Sequence, residues 1–273
     1  MTRTMAAANS EFCISLRNRW VAIAVVLMAL FSFVLSAAGS APTGQLGADK
    51  LSITVASLTS LAVYLVPLVA LLMAFDAVAG EIERGTLSLM LTYPVSRAEI
   101  LVGKFVAHLG ILALALAVGY SIAAAVALWY DPQASDGIPA LIRLFWSSLL
   151  LGATFLALGY AISAIARRPG AAAGLAIALW LVAIVLYDLA LLSALVADTN
   201  GAFTKQVFPW LIVANPADAF RLYNLSASEA TMAATGIGGA ANTIPSSQAL
   251  ASMVIWPVVA FCLAIAAFRR VVP

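Results

Sequence analysis

The sequence predicts an all-α integral membrane protein with six transmembrane helices, and three observations carry that expectation. Apolar residues make up 64% of the 273 residues and charged residues only 10%. The apolar residues gather into long runs rather than alternating with polar ones, and the mean hydropathy is +1.05. The few lysines and arginines fall mostly between alternate runs. A soluble domain of this length needs far more charge to cover its surface, so the bilayer is the solvent for most of the chain.

A spanning helix takes about 20 mostly apolar residues. The runs 20–39, 53–75, 99–129, 140–165, 171–196 and 249–268 meet that length. The first ends in Ser36, Ala37 and Ala38, which resemble a signal-peptidase site. A secretory apolar region is only about 7–15 residues long, however, and this run is longer and follows an extended polar stretch, so it reads as a retained helix. At about 1.5 Å per residue the third run would extend roughly 45 Å, which puts its first turns outside the hydrocarbon. Orientation follows from the basic residues. With both termini inside, the inner segments carry Arg3, Arg17, Arg19, Arg84, Arg97, Lys104, Arg167, Arg168, Arg269 and Arg270, against Lys50, Arg143, Lys205 and Arg221 outside. Cytoplasmic segments hold the excess of Lys and Arg, so both termini are expected in the cytoplasm.

Residues 5–19 mix Phe12, Ile14 and Leu16 with Glu11, Arg17 and Arg19. Phe12 and Leu16 share a helical face, which fits a short helix in the cytoplasmic interface anchored by Trp20; a frayed, positively charged tail is the plainer reading. The segment 76–98 starts with Asp76, Glu81, Glu83 and Arg84, continues through the apolar stretch 87–91, and breaks at Pro94. Gly80 and Gly85 permit tight turns, and Ser96 with Glu99 forms an S-x-x-E capping box that sets the start of the third span. The expectation is a short helix along the cytoplasmic face, hinged at both ends, and either an ordinary re-entry into the membrane or a docking element for a partner. Outside, 198–248 is long for a structureless connection. Asn215, Pro216 and Asp218 read as an N-cap, a proline at N1 and an acid at N3, so a helix should run through Phe220 to Leu225. Ser226 and Glu229 form a second capping box, and residues 236–241 are a Gly-rich connector. Phe208, Trp210, Phe220 and Tyr223 either seat this segment at the outer interface or receive a periplasmic partner.

Catalytic chemistry is not expected. Gly103-Lys104-Phe105 lacks the remainder of a phosphate loop, and no His–Glu metal motif, C-x-x-C or nucleophile elbow occurs. Cys13 and Cys262 are too isolated for a disulfide framework or a metal site, and the seven methionines form no M-x-x-M array, so no metal ligands are assigned. A net charge of +2 without a basic run does not suggest nucleic acid. The lone His108 reads as a packed residue. Asp188, inside the fifth span, should face protein or water, because a carboxylate is costly near the bilayer centre. It is either a pathway residue or one end of an interhelix hydrogen bond, the latter favoured. Gly170 and Gly174 make a weak G-x-x-x-G for close helix contact.

These residues resemble an ABC-2-type permease of the type V exporter-like architecture. That family has an elbow helix, six spans and a coupling loop between spans two and three. The loop pattern is an acid, then G-E-x-x-x-G-T-L, P-x-S-R and G-K, matched here by Asp76, Gly80, Glu81, Gly85, Thr86, Leu87, Pro94, Ser96, Arg97, Gly103 and Lys104. The resemblance implies that Asp76, Gly80, Glu81, Glu83, Arg84, Gly85, Thr86, Pro94 and Arg97 serve ATPase coupling. Four segments (16–20, 53–61, 91–94 and 209–225) also resemble the family members that serve maturation of the copper–sulfide centre of nitrous oxide reductase in denitrifying bacteria. That likeness implies a bacterial inner-membrane homodimer, a cytoplasmic ABC ATPase dimer that binds ATP and Mg, and a periplasmic β-helical partner. No cofactor would then be bound directly by this chain. Phe208, Trp210, Asn215, Asp218, Phe220, Arg221 and Tyr223 would meet the periplasmic partner. The other reading is a general ABC-2 exporter for a lipid-like or drug-like substrate.

Overall fold

In the computed structural model, residues 26, 30, 31, 33, 34, 50–90, 92, 96–199, 201–225 and 244–271 are described. The elbow segment 5–19, most of the first run, Pro94 and the stretch 226–243 lie outside them. Among the described residues every regular element is helical. Five stretches are long and apolar enough to cross a membrane: Lys50–Glu83, Arg97–Tyr130, Ala134–Ala166, Pro169–Ala197 and Ser246–Arg269. They fall on the second to sixth apolar runs. Val26, Leu30, Phe31, Phe33 and Val34, in the first run, are helical and exposed.

Helix α1 (Lys50–Ala74) is followed by α2 (Asp76–Glu83) and the short α3 (Thr86–Met90). Helix α4 (Arg97–Tyr130) leads through a 3-10 turn, Ala134–Gly137, into α5 (Ile138–Ala166). The fifth stretch is composite: α6 (Pro169–Trp180), a π-helical segment Leu181–Leu186, and α7 (Tyr187–Ala197). Three short helices follow, α8 (Ala202–Gln206), α9 (Phe208–Ala214) and α10 (Pro216–Leu225), before α11 (Ser246–Arg269).

Helix α5 is the centre of the bundle, packed chiefly against α1 and α11 and also against α4. Lipid tails are as apolar as leucine, so helices in a bilayer associate through close packing and hydrogen bonds rather than through expulsion of water. Two glycines seven residues apart provide the closeness. A Cβ on Gly152 would lie 2.2 Å from Leu112 Cδ2, and one on Gly159 would lie 2.5 Å from Ala74 Cβ. Gly170 and Gly174, read as a weak contact pair, have nothing among the described residues within 4 Å of the position a Cβ would take. Gly152 and Gly159 also recur on one helical face, but at a spacing of seven that the four-residue motif does not search.

Between α1 and α2 the helix is broken at Phe75 and stitched by one hydroxyl. In an unbroken helix the Val78 and Ala79 amides would bond the carbonyls four residues back. Instead both donate to Ser163 Oγ of α5, at 3.0 and 2.9 Å, while that hydroxyl donates to the Phe75 carbonyl at 2.6 Å. A side chain inserted into the ladder is an identifiable cause of a helix bend. The second stretch thus continues as helix to Glu83, and the short helix expected within 76–98 appears as two, α2 and α3, with α2 packed on α5.

Candidate functional site

Two groups of polar residues sit at opposite ends of the bundle. At the 76–97 end, Gly80 lies inside α2 rather than at a turn. A Cβ there would fall 2.2 Å from Asp76 Oδ1, so glycine makes room for the carboxylate folded over it. Asp76 in turn meets Arg84 at 3.3 Å in an exposed pair. Gly85 has a φ of 68°, the left-handed conformation that ends α2, and its amide bonds the Ile82 carbonyl at 3.1 Å. The Thr86 hydroxyl reaches the Glu81 carbonyl at 3.4 Å. The Gly-Thr of the motif is thus a helix-stop device.

Glu81 does not face outward. It meets Lys104 of α4 at 2.6 Å, with the two side chains 7% and 6% exposed. Glu81 and Lys104 of the two motif fragments therefore form one buried ion pair that ties α2 to α4. Four residues beyond Lys104, His108 is buried with its Nδ1 2.6 Å from the Tyr160 hydroxyl of α5, and the rings stack at 5.9 Å. The capping box forms as expected: Ser96 Oγ accepts from the Glu99 amide at 3.2 Å, and Glu99 accepts from the Ser96 amide at 2.8 Å. Arg97 donates to the Phe268 carbonyl at 3.1 Å and to the Val271 carbonyl, locking the start of α4 to the end of α11. The outward surface of the 76–97 segment is supplied by Glu83, Arg84, Ser88 and Leu89, with Leu87 fully buried beneath it.

At the other end, α9 and α10 are bonded into the bundle rather than lying loose on its surface. Asn215 caps α10 through the Ala217 amide at 2.9 Å, with Pro216 and Asp218 following as read from the sequence. Its amide nitrogen also donates to the Ala183 carbonyl, 2.8 Å away in the π-helical segment. Trp256 and Ser252 of α11 donate to the Ala214 and Val213 carbonyls, and Tyr187 donates to that of Leu211 at 2.7 Å. Arg143 donates to the Tyr223 carbonyl at 2.6 Å, its guanidinium over the Tyr223 ring, and Asn224 donates to Ser147 at 2.9 Å. This grip divides the residues expected at the partner contact by their burial. Asn215, Asp218 and Phe220 are buried inside the chain, Phe208 and Tyr223 are half-buried, and Trp210 stands out at 70% exposure.

Asp188 finds its partner here. Arg221 of α10 clasps it with two parallel bonds, 3.0 Å to Oδ1 and 2.8 Å to Oδ2. The same guanidinium is 3.4 Å from Asp218 Oδ1, one turn back on α10. Sequence reasoning anticipated an interhelix partner for Asp188 but placed Arg221 on an outer contact surface. The signal that joins them is a basic and an acidic residue, each isolated in apolar surroundings. Burial, and then the neighbouring Asp188 carboxylate, push the Asp218 carboxyl up to about 7 against the opposing pull of Arg221. The three residues open onto a cavity of about 630 Å3 with mostly apolar walls. Among the described residues no group of three or more His, Cys, Asp or Glu side chains could hold a metal ion.

Comparison with known proteins agrees with this architecture. The sequence model of a family described as ABC-2 family transporter protein matches residues 5–271. A protein of Pseudomonas aeruginosa called probable ABC transporter permease protein NosY is 45% identical over 267 residues, covering 96% of each chain. A protein of the same name from Stutzerimonas stutzeri is 41% identical over 280 residues, covering 99% of each chain. The match runs through both the Glu81–Lys104 end and the Asp188–Arg221 end, and this membrane chain belongs to the ABC-2 family of transporter permeases.

Proposed function

We propose that this chain is the membrane subunit of an ABC complex that couples cytoplasmic ATP hydrolysis to periplasmic maturation of the copper–sulfide centre of nitrous oxide reductase. The observation that carries the reading is the near-full-length similarity to two permeases named NosY. The complex would hold two copies of this chain, a NosF-like ATPase dimer that binds ATP and Mg, and a NosD-like β-helical protein in the periplasm. The chain sits in the inner membrane with both termini and the 76–97 end in the cytoplasm. It binds no cofactor itself and transmits motion, while partners handle copper or sulfur.

The geometry supports a mechanism of rigid-body transmission. Glu83, Arg84, Ser88 and Leu89 form the surface that the ATPase grips. Behind it, the Glu81–Lys104 pair and the Ser163 stitch join α2 to α4 and α5, so displacement of α2 moves the bundle. Helices α9 and α10 are held to α5, α7 and α11 by the bonds described above, and they carry that motion to the far end. Trp210, standing clear of the bundle, is the contact for the periplasmic protein.

The test uses exposed residues, so that loss of coupling is separable from loss of fold. Arg84→Glu with Leu89→Asp should leave expression and melting temperature near those of the wild type. It should also abolish permease-stimulated ATP hydrolysis and yield a reductase lacking its copper–sulfide centre in cells. A fully metallated reductase in that strain rules the reading out. ATPase stimulation by a lipid-like or drug-like compound, with no periplasmic protein present, would favour the general exporter instead.

A further inference from the structure

The geometry points to a binding site for a monoanionic bilayer phospholipid in the recess between the first turns of α5 and α11, with the lipid phosphate on Arg143 and an acyl chain along Trp146, Leu150 and Leu250. The recess has a volume of about 570 Å3, and Tyr223 of α10 contributes to its wall. Arg143 lines it as well. Its Nη2 donates to the Tyr223 carbonyl at 2.6 Å, and the guanidinium carbon lies 3.9 Å from the centre of the Tyr223 ring. These contacts hold the cation in place, but neither brings a negative charge. Among the described residues no carboxylate pairs with Arg143 and none lines the recess. Lys104 and Arg221, by contrast, each meet an acid. A basic residue near the end of a membrane helix, without a counter-charge in its own chain, is the arrangement that an anionic headgroup neutralises.

Polarity changes along the recess in the order that a phospholipid requires. Arg143 lies in the second turn of α5, and Ser246 and Ser247 lie in the first turn of α11. Trp146 and Leu150 follow Arg143 on the same helical face, about 4.5 and 10.5 Å further along the axis. On α11, Leu250 follows Ser246 by one turn, and Val254 follows Leu250. Trp146, Leu250 and Val254 are all exposed. The polar rim is thus continued by an uncovered apolar track, with a tryptophan at the depth where the headgroup gives way to chain. Free phosphate would use the rim alone and leave that track bare. A zwitterionic lipid brings an ammonium for which the described lining residues offer no carboxylate. One negative charge and an acyl chain fit best. The site does not depend on the assembly proposed above, because every residue named in it belongs to this chain.

The full chain is reconstituted in phosphatidylcholine bilayers that carry increasing fractions of dibrominated phosphatidylglycerol, whose bromines quench nearby tryptophans. Quenching at Trp146 is read as the difference between the wild type and Trp146→Phe. Phosphatidylglycerol should occupy that position at least about fivefold better than dibrominated phosphatidylcholine, the effect of one basic residue on an anionic headgroup. Arg143→Gln should bring the ratio to about one, and Arg143→Lys should keep most of the preference, since the charge remains. Ser247→Glu, at an exposed rim position, should also abolish the preference while leaving Arg143 intact. Dibrominated phosphatidylethanolamine should do no better than phosphatidylcholine. A ratio of one in the wild type, a preference retained by folded Arg143→Gln or Ser247→Glu protein, or an equal preference for phosphatidylethanolamine overturns the proposal.

Discussion

At the 76–97 end a buried cation and a buried anion meet directly, Lys104 and Glu81 at 2.6 Å, each less than a tenth exposed. At the 198–225 end one guanidinium is shared between two carboxylates beside an open cavity. The first arrangement is closed and joins elements that must move together. The second is open, with the Arg221–Asp188 pair 22% and 29% exposed and a second carboxyl, Asp218, beside it. One bundle thus holds charge both in a sealed pair and in a partly solvated cluster.

The sharpest way to break the comparison is Lys104→Met, which strands Glu81 in the interior and should cost about 3–5 kcal/mol, read as loss of folded protein or a large fall in melting temperature. The double variant Glu81→Leu with Lys104→Met should recover most of that loss, since an apolar pair of similar volume leaves no orphaned charge. A double variant as unstable as the single one would mean that Lys104 acts through something other than the pair.

Packing at the centre comes next. Gly159→Ala places a methyl 2.5 Å from Ala74 and should cost about 1–3 kcal/mol, whereas Gly174→Ala meets nothing among the described residues and should be neutral or slightly stabilising. The two melting temperatures check this directly. The reverse order would show that span five, not α5, is the tightly packed helix.

Arg221→Gln should destabilise less than Lys104→Met, because the Arg221 and Asp188 side chains are partly solvated and water can replace the lost partner. Equal losses at the two sites would erase the distinction between a closed and an open end.

The smallest effect is pH-dependent. The ordinary value for Asp218 is 3.8 and the folded value about 7. Between them only the folded state holds the proton, so this group's contribution to stability declines as pH rises through that window and is level above it. Asp218→Asn should flatten the fall in melting temperature from about pH 4 to 7. An unchanged slope would place the titration elsewhere.

Much of the fold was legible because long apolar runs and helix caps are local signals. The capping box at Ser96–Glu99 and the Asn215-Pro216-Asp218 start of α10 appear as read, since each involves atoms within one turn. The sequence could not reveal that Gly80 lies within a helix, that Glu81 turns inward to Lys104, or that α10 is buried. Those depend on which faces meet across the bundle. Phe220, read as an outer contact, is fully buried for that reason.

By itself, then, the sequence determined the solvent of this chain, the apolar runs, the caps and the family motif, because bilayer length and backbone capping are requirements on contiguous residues. Only the tertiary structure decided which charges meet. Ser163 lies 88 residues from the carbonyl it bonds at Phe75, and Arg221 lies 33 residues from Asp188. In a low-dielectric interior a charge or a free backbone amide must find its partner wherever packing brings one, and no local pattern records that choice.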